Sequence, residues 1–160
     1  QGTHELMIRL IHVVSSALMF GVGIGAFWFM LTTARSGNPA AIAVTTRNAV
    51  RAEWFIAAPV ALVQPLTGYL LMIELGYSLR SVWFLAVAAC YIIAGMCWIY
   101  VIKTELQLRN LAQAHRNDSN LPAAFGPLLR RWTGLSICSF AGVLTIFWLM
   151  VFRPGTGSLL

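Results

Sequence analysis

The sequence predicts an all-α integral membrane four-helix bundle, antiparallel and up-down, with both termini periplasmic. Three observations predict it. Only 10% of the 160 residues are charged and 59% are apolar, with a mean hydropathy of +0.76, whereas a soluble domain carries about 25% charged residues. Four apolar stretches, at about 6–31, 53–72, 82–102 and 132–152, each reach the ~20 residues that a spanning helix needs. Finally, Arg35, Arg47, Arg51, Lys103, Arg109, Arg116, Arg130 and Arg131 fall in two connections on one side, against Arg9, Arg80 and Arg153 on the other. An excess of Lys and Arg marks the cytoplasmic face. It puts both connections inside and both termini outside, in a single multi-pass domain over residues 1–160.

The first stretch reads LMIRLIHVVSSALMFGVGIGAFWFML. It is too long for the apolar core of a secretory signal and does not stop at a small-residue cleavage site, so it is expected to stay as the first span. Ser36-Gly37-Asn38-Pro39 breaks it, and the polar run that follows reads as a short surface helix. The second span carries Pro59, Gln64, Pro65, Thr67 and Gly68. Pro65 frees the carbonyl of Ala61 and predicts a kink. Gln64 and Thr67 at that bend are expected to line a cavity. A short turn containing Gly76 makes the second and third helices antiparallel neighbours. Beyond Ile102 the helix is expected to continue through KTELQLRNLAQAH, with Glu105 and Arg109 paired on its exposed side. Asn117-Asp118-Ser119-Asn120, Pro122 and Gly126-Pro127 break it before the fourth span. Trp54 and Trp132 are expected at the inner interface, Trp83 and Tyr77 at the outer one. Trp28, Trp98 and Trp148 read as packing or belt residues.

Several functions are excluded. The formal charge of +6 is scattered over loops, without a basic stripe or nucleic-acid motif, so nucleic acid is not a partner. The partners implied are the lipid bilayer and a homo-oligomer or larger membrane complex. Cys90, Cys97 and Cys138 all lie in apolar segments and read as small packing residues rather than a disulfide framework. There is no Ser–His–Asp set, phosphate loop or C-x-x-C, and no pair of carboxylates stands out at membrane depth.

His12 is the functional candidate, because an ionisable side chain in a span is costly. At 100° per residue Ser16, Met19 and Gly23 share its face. The small residues at 16 and 23 leave a groove beside the imidazole that suits a flat macrocycle such as haem. Arg9, Arg80 and Arg153 at the outer rim suit propionate carboxylates. His4 and His115 cannot reach an iron on His12. The haem would therefore be five-coordinate, shared between two copies, or ligated by His12 with Met72 or Met150. The alternative is that His12 hydrogen-bonds between helices while Arg9 snorkels. Gly21 and Gly25 form a G-x-x-x-G that suits packing within the chain, or else dimerisation. His4, Glu5 and His12 could meet at copper only if the N-terminus bent, since eight helical residues separate the imidazoles by about 12 Å.

The stretches IRLIHVVSSALMFGVGIGAFWFM, AEWFIAAPVALVQPLTGYLLM and TIFWLMVFRP resemble the bacterial predicted integral membrane proteins of a four-helix family of unknown function. The likeness covers nearly the whole chain and implies fold and location. More distantly, the early histidine and the Pro59–Gly68 span resemble four-helix protoporphyrinogen oxidase and copper-resistance membrane proteins. The oxidase resemblance implies haem b on His12. The third span lacks the ionisable residues of that oxidase, so the resemblance extends to haem rather than to the reaction. The expectation is thus a haem-b-binding membrane protein of redox or haem-handling type. Its alternatives are a non-catalytic subunit or scaffold, and a small transporter or copper-handling protein.

Overall fold

The structure, a computed structural model, describes residues 2–154. It is all-helical among them. Helix α1 spans Thr3–Arg35, α2 Pro39–Ala52, α3 Ala58–Glu74, α4 Val82–Ala114 and α5 Phe125–Phe152, with a π-helical turn at Glu53–Ala57 joining α2 to α3. Four helical rods result, each long and apolar enough to cross a membrane: α1, the continuous Pro39–Glu74 helix, α4 and α5. Their outer faces show what solvent they are built for. Leu62, Phe55 and Val82 expose 76%, 80% and 84% of their surface, which water would penalise and lipid does not.

The second rod differs from its expected form. The polar run after Asn38 is not a separate surface helix but the first fourteen residues of the spanning rod, capped by the Asn38 side chain. Ile42, Ala43, Thr46, Ala49 and Val50 repeat at helical spacing and are buried, against α1 and α4. The π turn has a local cause. Pro59 has no N–H to return to the Phe55 carbonyl, and its ring crowds that turn. The backbone widens by one residue just before it, so that the Ala58 N–H reaches back to the Glu53 carbonyl. The rod passes through Pro65 without ending. The carbonyl of Ala61 that Pro65 leaves free accepts the Tyr91 hydroxyl from α4.

Helix α1 packs along α3, and α4 along α5, while α1 meets α5 through aromatic side chains, Phe20 and Phe27 against Trp132, Phe140 and Phe147, rather than through close backbone approach. Helices α4 and α5 approach closely where Gly142 faces Ala94: a Cβ at position 142 would lie 2.9 Å from the Ala94 Cβ. At a helix rise of 1.5 Å, the 33-residue α1 and α4 each extend about 50 Å, roughly 20 Å more than the hydrocarbon thickness. The surplus forms a core at the basic end from Met30, Ile42, Ala43, Val101, Leu108, Ala112, Phe125 and Trp132. A smaller core of Met72, Trp83, Val87 and Leu149 closes the end that carries the termini. There His4 pairs with Glu74 at 2.9 Å and Arg153 donates to the Tyr77 hydroxyl, so both ends of the described chain sit beside the α3–α4 turn. Trp83 and Trp132 are buried core residues, not interface residues: the Trp83 indole donates to the Leu149 carbonyl at 2.6 Å, and Trp132 stacks on Phe27.

Adding one methyl at Gly142 has nowhere to go, because the opposing atom is a rigid Cβ. Gly142→Ala is expected to destabilise the bundle by roughly 1–3 kcal/mol, read as a lower unfolding temperature in detergent. Gly134→Ala, with nothing within 4 Å of the added atom, should leave that temperature unchanged or slightly higher.

Candidate functional site

Between the two cores the bundle leaves a cavity of about 260 Å³. Four rods contribute to its wall: Met19, Phe20 and Gly23 from α1, Glu53 and Ala57 from the π turn, Tyr91, Trp98 and Glu105 from α4, and Trp132, Ser136 and Phe140 from α5. The wall is mostly apolar and aromatic, with the hydroxyl residues Tyr91, Ser136 and Ser139 and two carboxylates. Glu53 is 4% exposed and accepts the Trp98 indole N–H at 2.7 Å. Glu105 is 1% exposed, and its Oε1 has no hydrogen-bond partner. The indole of Trp132 lies beside the Glu105 carboxyl outside hydrogen-bond geometry, so its Nε1 is unsatisfied too. The two carboxylates are close enough to feel one another's charge. Among the described residues no Lys, Arg or His lines the cavity.

The expected exposed pair Glu105–Arg109 does not form. Arg109 turns to the Asn110 side chain at 3.1 Å, and Glu105 points inward. The signal was present in the spacing: Ala94, Val101, Leu108 and Ala112 are a buried stripe, and Trp98 and Glu105 fall in its register. Glu53 likewise continues the buried face of Thr46, Ala49 and Val50. Both acids escape notice when each is read as the polar edge of a span, because it is the length of the helices beyond the span that buries them. Tyr91 and Ser136, also on the wall, carry no sequence signal of their own.

His12 lies elsewhere, in a polar seam between α1 and α3. Its Nδ1 and the Thr67 hydroxyl are 2.7 Å apart, and its Cε1 would be 3.3 Å from a Cβ at Gly68. The Gln64 amide donates to the His12 carbonyl at 2.8 Å and to the Ser15 hydroxyl at 2.6 Å. Gln64 and Thr67, expected to line a cavity, are instead the buried partners of this seam. Ser15, not Ser16, is the serine that joins it; Ser16 bonds back to its own helix at the Val13 carbonyl.

The expected haem donors do not assemble. Gly23 faces Phe140, whose ring would stand 3.3 Å from a Cβ there, and with Met19 it borders the cavity, whose wall does not include His12. Met72 is buried against Trp83, Val87 and Leu149, and Met150 packs on the same cluster. Arg9 pairs with Glu5 at 2.7 Å, Arg153 stacks over Tyr77 and Trp83, and Arg80 is exposed on the α3–α4 turn. The residues therefore do not fit a haem seated on His12. Nor do they fit copper: His4 is held by Glu74 and Glu5 by Arg9. Among the described residues no three His, Cys, Asp or Glu side chains cluster as a metal site. The G-x-x-x-G of Gly21 and Gly25 borders a groove beside α2 and Asn48, with nothing within 4 Å of a Cβ at either glycine, so it does not bring helices together within the chain.

A family model for predicted integral membrane proteins, DUF2269, matches residues 6–154. The chain belongs to the DUF2269 family. The match covers all four rods, both carboxylates and the His12 seam. No curated protein and no solved structure matches it, so the more distant likeness to the oxidase and to copper-resistance proteins has no counterpart in these comparisons.

Two outcomes follow for this family member. Gln64→Leu leaves the Ser15 hydroxyl and the His12 carbonyl without their donor, and is expected to lower stability in detergent by about 0.6–1.7 kcal/mol, the range for interhelical hydrogen bonds in membranes. Protein purified in mild detergent from haem-replete cells is expected to show no Soret absorbance. A Soret band lost in His12→Ala would reinstate haem as the ligand.

Proposed function

We propose that this integral membrane protein reversibly binds a small organic cation with an apolar body in the cavity between its two cores, as an intramembrane carrier or receptor rather than as a catalyst. One observation carries the reading: a fully buried, unpartnered carboxylate oxygen, Glu105 Oε1, on the wall of a cavity that contains a second carboxylate and no basic side chain. A carboxylate in an apolar surround is strongly unfavourable without a positive partner. The chain supplies none there, so the acid stays protonated while the cavity is empty, and a cationic occupant is what would favour its ionised form. The rings of Trp98, Trp132, Tyr91, Phe20 and Phe140 suit such an occupant twice over, because aromatic faces attract a cation and also solvate its hydrocarbon part.

The same reading places the protein in a bacterial inner membrane with the basic end in the cytoplasm, since that end holds eight of the eleven Lys and Arg residues. Glu53 and Glu105 then lie in the cytoplasmic half of the bundle, and an occupant reaches them from that side more directly than from the other.

Benzyltrimethylammonium and its neutral carbon isostere, neopentylbenzene, test the charge requirement. The expected result is saturable quenching of tryptophan fluorescence by the cation only, because Trp98 and Trp132 border the site. Glu105→Gln and Glu53→Gln should each weaken binding about tenfold or more, equivalent to at least ~1.4 kcal/mol. His12→Ala should leave it unchanged. Equal binding of the neutral isostere, or unaltered affinity in both glutamine variants, would overturn the reading.

A further inference from the structure

The third site lies on the outside of the α4–α5 pair and is independent of the cavity. These helices run antiparallel and meet closely at Ala94 and Gly142, where the Ser139 hydroxyl also donates to the Ala94 carbonyl at 3.2 Å. Moving about one turn from that contact along both helices, toward the basic end, brings Cys97 opposite Cys138. Their sulfurs are 3.4 Å apart. The close approach forced by Gly142 is what sets two cysteines, 41 residues apart in sequence, at contact. Cys90, two turns earlier on α4, packs against the core at the other end and takes no part. Both thiols are free, Cys97 half-buried and Cys138 exposed. Their surround is hydrocarbon: Ile93 and Met96 on α4 and Ile137 on α5 each expose half or more of their surface.

We propose that Cys97 and Cys138 form a redox-active dithiol that faces the lipid phase and is oxidised to an intramolecular disulfide by a membrane-soluble quinone. The step balances. Each thiol loses its S–H bond, one S–S bond forms, and the two electrons and two protons leave on the quinone, which becomes the quinol. Closure from 3.4 Å to a bond of about 2.05 Å moves the sulfurs together by roughly 1.4 Å, a shift that side-chain rotation on two helices already in contact can supply. A lipid-soluble oxidant is required because the exposed sulfur opens on the bilayer and not on water. Once closed, the disulfide ties α4 to α5 at the turn that also carries Trp98, the indole bonded to Glu53.

The experiment uses the full chain in liposomes, reduced with a phosphine that is then removed. Decylubiquinone is added or withheld, the protein is denatured, and free thiols are counted by the gel shift of a maleimide-polymer adduct. Without quinone, three thiols should react; with it, one, Cys90; and phosphine should restore all three. Cys97→Ser and Cys138→Ser should each retain two reactive thiols whether or not quinone is present. Three adducts persisting with quinone would overturn the proposal. So would loss of adducts in either serine variant, failure of phosphine to restore them, or equally fast loss with ferricyanide in place of quinone.

Discussion

Inside a bilayer a polar group can be satisfied only by another part of the protein, and this constraint organises the bundle. Some hydroxyls, such as those of Ser16 and Thr46, bond back to their own helix, and other polar groups of the spans are answered by a neighbouring one. Pro65 releases the Ala61 carbonyl, and Tyr91 donates to it from α4. The Gln64 amide reaches the Ser15 hydroxyl and the His12 carbonyl, while the His12 ring meets Thr67. Glu53 receives the Trp98 indole. These bonds stitch α1 to α3 and α3 to α4. Set against them, Glu105 Oε1 and Trp132 Nε1 are buried without a hydrogen-bond partner among the described residues.

Packing is distributed unevenly for a related reason. Lipid tails are as apolar as leucine, so burying side chains within the hydrocarbon layer yields little. Where the helices outrun that layer, water restores the hydrophobic driving force. The larger core sits there, among Met30, Ile42, Leu108, Phe125 and Trp132. Between it and the smaller core of Met72, Trp83, Val87 and Leu149 lies the cavity. The π turn at Glu53 belongs to the same geometry. Pro59 forces the backbone to widen, and the widened turn is the one that delivers a carboxylate to the cavity wall.

Four spans, their up-down order and the charge asymmetry between the two ends were legible because hydropathy, length and the positions of arginines are local properties of the chain. The continuation of α4 past Ile102 was legible for the same reason, and so was the free carbonyl that Pro65 creates at Ala61. Hydrogen bonding of His12 between helices stood among the sequence readings, and its contact with Thr67 matches it. Local properties mislead where burial depends on a distant segment. Ser36-Gly37-Asn38-Pro39 separates α1 from the next helix as read, but the polar run beyond it packs on α1 and α4 instead of lying on the surface. Glu105 has Arg109 four residues on and looks like half of a surface pair until α2 and α5 cover it.

The chain's sequence by itself determined that it lives in lipid, in four rods with one basic end, because those facts follow from composition and order along the chain. Tertiary structure alone decided which polar residues face one another. It turned His12 toward Thr67 rather than toward an open groove, brought Glu53 and Glu105 from different rods to one cavity, and set Cys97 against Cys138. The physical reason is the same in each case: a helix presents every residue on some face, and only the packing of its neighbours determines which face is closed.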